Sequence, residues 1–117
     1  MVLEREVKIF LSELKQFLKI WPIVFLHRPK NSLQNLADIG ITAKRRLEII
    51  LDLEIEDYSQ GPLSETQQNG TAMWVFGKVV KKTEVYIKLT VNKDSNHVIC
   101  ISFHIAEDTM NYPLKVK

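Results

Sequence analysis

Met73-Trp-Val-Phe-Gly-Lys-Val-Val80, Glu84-Val-Tyr-Ile-Lys-Leu-Thr-Val91 and His97-Val-Ile-Cys-Ile-Ser-Phe-His104 are three strand-like runs. Each is rich in β-branched and aromatic residues, and short polar links separate them. They predict an antiparallel meander in the last third of the chain. Lys78, Tyr86, Lys88 and His104 interrupt these apolar runs. A strand needs none of them for its own stability, so the face that carries them is a candidate site.

Upstream the pattern is helical. Leu3, Val7, Phe10, Leu14, Phe17 and Trp21 recur every three or four positions, with Leu11 and Leu18 beside them and charged residues on the opposite face. These apolar residues are expected in the core. Pro22 ends the helix. Ile23 to Leu26 predicts a short strand. Ser32 is suited to cap a helix closed by Gly40, and Thr42 to cap another, with Leu47, Ile50 and Leu51 pointing inward. Tyr58 to Thr71 reads as loop, being rich in Ser, Gln, Gly, Pro and Asn. Helices followed by a meander indicate an α+β fold, with helices on one face of a mainly antiparallel sheet.

The 117 residues suit a single domain, 1–117, with 45% apolar and 26% charged residues. The formal net charge of +2 permits an RNA partner without demanding one. One cysteine, Cys100, excludes an internal disulfide and a Cys-rich zinc site. It reads as a buried, inert thiol. No targeting segment and no apolar run of about 20 residues is apparent, so a cytoplasmic protein without membrane contact is expected. No phosphate loop, nucleophile elbow or metal-ligand cluster occurs, so no cofactor or metal is expected.

Side-chain alternation sorts the strands into faces. A two-residue turn at Lys81-Lys82 pairs Gly77 with Tyr86 and Val75 with Lys88. Trp74, Phe76, Val85, Ile87 and Leu89 then share the core face. Lys78 falls on that face near the turn, within reach of water. Linking the second strand to the third through an even number of residues would put Ile99, Ile101 and Phe103 beside Lys88. An odd link, or a bulge of equal effect, pairs Tyr86 with His104 and keeps those three residues in the core. The second option packs better and brings Tyr86, Lys88 and His104 onto one open face.

Such a trio suits RNA cleavage by the 2′-hydroxyl. A base takes its proton, a cation steadies the phosphorane, and an acid protonates the leaving 5′-oxygen. Histidine titrates near neutrality and serves as acid or base. Lys88 would clamp the phosphate. Tyr86 would bind the phosphate, stack on a base or act as the base. The plainer readings are a polar edge histidine, a solvated lysine and a rim tyrosine. Arg28, Lys30, Lys44, Arg45 and Arg46 are candidates for an RNA-backbone patch or for ordinary surface charge.

Ile39-Gly-Ile-Thr42, Leu53-Glu-Ile-Glu-Asp-Tyr58, Trp74, Val85-Tyr-Ile-Lys-Leu-Thr-Val91 and Ile101-Ser-Phe103 resemble the motility quorum-sensing regulator (MqsR) toxin family. The resemblance covers most of the chain and is closest in the middle strand. It implies a RelE-like fold and the toxin of a type II toxin–antitoxin pair. Such a toxin is a metal-free, ribosome-independent endoribonuclease acting on mRNA. Its antitoxin has a zinc-binding part and a helix-turn-helix part, and operator DNA is bound through the antitoxin. Tyr86 matches a family active-site tyrosine, and His104 stands where the family has a lysine. Gln60 falls where the family has another lysine after the Asp-aromatic pair, and Val75 where it has a glutamine. Tyr58 and Gln60, with Lys78, Arg28 and Lys30, complete the candidate RNA contacts. A non-catalytic RNA- or antitoxin-binding protein of the same fold is the alternative implied by the departures at Gln60 and Val75. Ribosome-dependent cleavage is a third reading.

Overall fold

The computed structural model describes residues 4–26, 40–64 and 72–115. The candidates Arg28 and Lys30, together with His27, Leu3 and the helix capped by Ser32, lie outside those residues. Within them the order is α1 (Glu4–Ile20), β1 (Ile23–Phe25), α2 (Ala43–Leu51), a 3-10 turn (Ile55–Asp57), β2 (Tyr58–Leu63), β3 (Met73–Val80), β4 (Thr83–Asn92) and β5 (His97–Ile105). The strands form one sheet in the order β1-β5-β4-β3-β2. Only the β1–β5 pair is parallel. This is the expected α+β architecture.

The apolar stripe of α1 buries Val7, Phe10, Leu11 and Leu14. Phe10 stacks on Trp74 and Phe76 at centroid distances of 5.3 and 6.0 Å, which binds the helix to β3. Trp21 departs from the expected core position. It lies just past the helix, 40% exposed, because Pro22 halts the periodicity before another turn can form. Thr42 caps α2 as expected, its hydroxyl accepting the Arg45 N–H. The inward face of α2 is Arg46, Ile49 and Ile50, whereas Leu51 is 42% exposed. The helix is thus rotated from the expected setting. Arg46 leaves the basic surface patch and is buried, its guanidinium 4.2 Å from the centroid of the Phe25 ring.

Residues 58–63 are a strand, where a loop was expected. Tyr58 anchors it from the core, its hydroxyl donating to the Gly61 carbonyl at 2.6 Å. The strand pairs with β3 through two register shifts, and the Gly61–Pro62 peptide is cis. Its edge position tolerates the proline, which a central strand would not. That irregularity hid it from a reading based on alternation.

The β3–β4 hairpin turns at Lys81 and Lys82 as expected, both with positive φ, 51° and 64°. Its register is the expected one, with Gly77 opposite Tyr86 and Val75 opposite Lys88. The β4–β5 link is even, with Asn92 opposite His97, and a bulge follows between Lys88 and Leu89. The bulge makes Ile101 the extra residue and restores the pairing of Tyr86 with His104. Before it, Val98 and Cys100 join the main core, while Ile99 is only half-buried. Val98 therefore takes the core place expected for Ile99, and Cys100 the place opposite Leu89 expected for Ile101. Burial pushes its thiol up to about 12.

Candidate functional site

The face of the sheet turned away from α1 carries a pocket of about 450 Å³. Tyr86 and Lys88 of β4 and Ser102 and His104 of β5 form its floor. Ser59 and Gln60 of β2 line one part of the rim, and residues 106–111 line another. Alternation places the four floor side chains together, since Tyr86 opposes His104 and Lys88 opposes Ser102. Had the bulge been absent, His104 would have pointed to the helix side.

Tyr86 and His104 stack, with ring centroids 4.9 Å apart and planes inclined by 11°. The His104 Nδ1 lies 2.8 Å from the Ile105 carbonyl oxygen. A carbonyl only accepts, so Nδ1 carries a proton in this bond. The Nε2 atom is then the one that gains or loses a proton. The histidine is thereby fixed in orientation by stacking on one ring face and by one backbone bond. Lys88 is half-buried on the same floor and carries the positive charge there. The arrangement can hold an anion at Lys88, move a proton at Nε2 and present an aromatic face.

The other candidates go elsewhere. Lys78 is on the helix side, as its strand parity required, and does not join the pocket. Its ammonium donates to Asp57 at 3.1 Å and lies 3.7 Å from Asp52. Burial by itself would lower its pKa, but the Asp57 bond and the Asp57, Asp52 and Glu54 charges outweigh it, and the net shift is upward. Tyr58 is a core residue packed against Trp74 and Phe76, so its ring is not on the exposed surface. Burial, followed by the Glu6 charge, raises its phenol pKa. Gln60 reaches the pocket rim, and Val75, which it pairs with, is fully buried. Lys44 and Arg45 are exposed at the start of α2, with Arg45 3.4 Å from Glu48.

Sequence reasoning missed Ser102, Ser59 and the pocket wall from residues 106–111. Ser102 was within reach, because the bulge that joins Tyr86 to His104 also joins Lys88 to Ser102. The wall had one sequence signal, Gly77, since a glycine inside a strand often marks the close approach of another segment. Among the described residues no three His, Cys, Asp or Glu side chains converge as a metal-binding group. No helix among them is long and apolar enough to cross a membrane.

No curated protein and no solved structure matches the chain significantly. A family model does. The motility quorum-sensing regulator model, described as the toxin of MqsA, matches residues 8–105, from α1 to the last residue of β5. That span contains all four floor residues of the pocket. The chain therefore belongs to the motility quorum-sensing regulator family, the toxins of a toxin–antitoxin system.

Proposed function

We propose that this toxin is an endoribonuclease that cuts single-stranded mRNA without the ribosome, using Tyr86, Lys88 and His104. The observation that carries this reading is the Tyr86–His104 stack beside Lys88 on an open, pocketed sheet face. Cleavage needs little covalent help from the protein. The 2′-oxygen attacks the adjacent phosphorus as its proton leaves, and the bond to the next 5′-oxygen breaks as that oxygen takes a proton. The products are a 2′,3′-cyclic phosphate and a free 5′-hydroxyl. His104 handles a proton at Nε2. Lys88 stabilises the charge that builds on the phosphorane. Tyr86 holds the imidazole by stacking and offers its hydroxyl to the phosphate. Gln60, at the rim, contacts the RNA. Tyr58 and Lys78 contribute by supporting β2 and β3.

A second reading is a protein that binds RNA or its antitoxin without cutting. Two observations favour it. Val75 offers no polar group where the family has glutamine, and Glu107 and Asp108 line the same pocket as Lys88. The antitoxin partner itself follows from the family. We propose that it has a zinc-binding part and a helix-turn-helix part that carries operator binding.

Purified protein incubated with an unstructured RNA, with chelator and without ribosomes, separates the readings. Products bearing cyclic phosphate and 5′-hydroxyl ends, lost on His104→Ala in a folded variant, support the nuclease. RNA retained but uncut supports the second reading. Cutting only when ribosomes are added makes the enzyme ribosome-dependent, and unchanged cutting by His104→Ala removes His104 from the mechanism.

A further inference from the structure

The family match stops at Ile105, yet the chain continues across the site. Ala106 donates its N–H to the Glu84 carbonyl at 2.9 Å as β5 ends. The Glu84 carboxylate then holds the segment at two further points. One oxygen accepts the Met110 N–H at 3.2 Å and the other the Tyr112 hydroxyl at 2.5 Å. Tyr112 and Met110 both sit over Gly77. A Cβ at Gly77 would lie 2.8 Å from the Met110 sulfur and 2.9 Å from the Tyr112 ring, and would collide with the Tyr112 hydroxyl. The order β5-β4-β3 means the segment starts at β5, is fastened on β4 and lands on β3. Burial, then the bond to Glu84, raises the Tyr112 pKa, so the hydroxyl stays a donor throughout the neutral range.

We propose that residues 106–112 are a fixed wall that restricts which single-stranded RNA the site accepts, and that Glu84 is the positioning residue that holds this wall. The proposal rests on the endoribonuclease reading. Residues 106–111 bound the pocket floor of Tyr86, Lys88, Ser102 and His104, and Ser59 and Gln60 contribute the β2 part of the rim. An entering strand is confined between the two. Glu107 and Asp108 repel phosphate from the wall and leave Lys88 as the favoured place for it. A second RNA strand would bring its phosphates against those carboxylates, so paired RNA is refused. Gly77 is the complementary adaptation, a gap in β3 that the strap fills.

The test uses the full-length chain with Glu84→Ala, Glu84→Gln, Gly77→Ala and Tyr112→Phe. Two readouts are taken, the exchange rate of the Met110 amide and kcat and KM over a set of RNAs differing by one base near the cut, with duplex RNA included. In Glu84→Ala and Gly77→Ala, Met110 exchange accelerates. Discrimination between the best and the next-best RNA then falls by about tenfold, while kcat on the best RNA changes less. Glu84→Gln and Tyr112→Phe each keep part of the latch and give smaller changes in the same direction. Faster exchange with unchanged RNA choice, or unchanged exchange in Glu84→Ala, overturns the proposal. If the wild type binds RNA without cutting, the same ratios are read as affinities, and the nuclease reading alone fails. If it neither binds nor cuts, both fail.

Discussion

The two faces of one sheet obey different rules. Facing α1, Trp74, Phe76, Val85, Ile87, Leu89 and Phe103 fill a core in which every apolar side chain has apolar neighbours. On the other face Tyr86, Lys88, Ser102 and His104 stand in a pocket under a strap held by Glu84. The core face is set by alternation over several strands, because each of its apolar residues is buried against the same cluster. The pocket face is contingent, because His104 reaches it only through a single bulge. Stability is therefore expected to reside on one face and chemistry on the other.

Five measurements break or sharpen that division. His104→Ala should lower RNA cleavage by about 100- to 10,000-fold, since it removes the proton-transfer group, with the melting temperature nearly unchanged. A parallel loss of folding would show that the two faces are coupled. Phe76→Ala, on the buried side, should cost about 3–5 kcal/mol in urea unfolding, since it opens a cavity beneath α1. Cleavage by the fraction still folded should persist. Lys78→Met should cost only about 1 kcal/mol, because its ion pair with Asp57 is partly solvent-screened, and should leave RNA cleavage intact. A large loss of cleavage would return Lys78 to the site.

The smallest effect concerns pH. Cys100, Tyr58 and Tyr112 all have raised values in the fold, with Cys100 pushed up to about 12. Each is neutral when protonated, and the folded state holds that proton more tightly than the unfolded chain does. Their contribution is complete below the unfolded values and declines as pH rises from there toward the folded ones. Stability should thus sag gradually above about pH 9, the range where free thiols and phenols ionise. Cys100 should resist alkylation at pH 8 until the protein unfolds. Rapid alkylation of the native protein would contradict its burial.

The candidate site was legible in unequal parts. Tyr86, Lys88 and His104 followed from alternation and a packing preference, which also required either an odd link or a bulge. Lys78 was placed on the core face by the same arithmetic, and its partners Asp57 and Asp52 explain why a cation is tolerated there. Tyr58 and Arg46 were misread for one shared reason. The family resemblance placed Tyr58 among the RNA contacts and charge placed Arg46 in a surface patch, but each has a long apolar body whose tip finds a partner inside, the Gly61 carbonyl for one and the Phe25 ring for the other. Strand β2 was missed because a bulged edge strand containing Gly-Pro lacks the period on which recognition depends.

The sequence by itself determined the α+β class and the hairpin at Lys81-Lys82, because these rest on local periodicity and short-range turn chemistry, and it carried the resemblance to the family in motifs whose order and spacing agree. Only the tertiary structure decided that a bulge rather than an odd link sets the β5 register. It alone brought residues 106–112 back over Gly77 and turned Arg46 inward. Those outcomes depend on which surfaces meet across the chain, and the free energy of such meetings is a property of the packed whole that no local window contains.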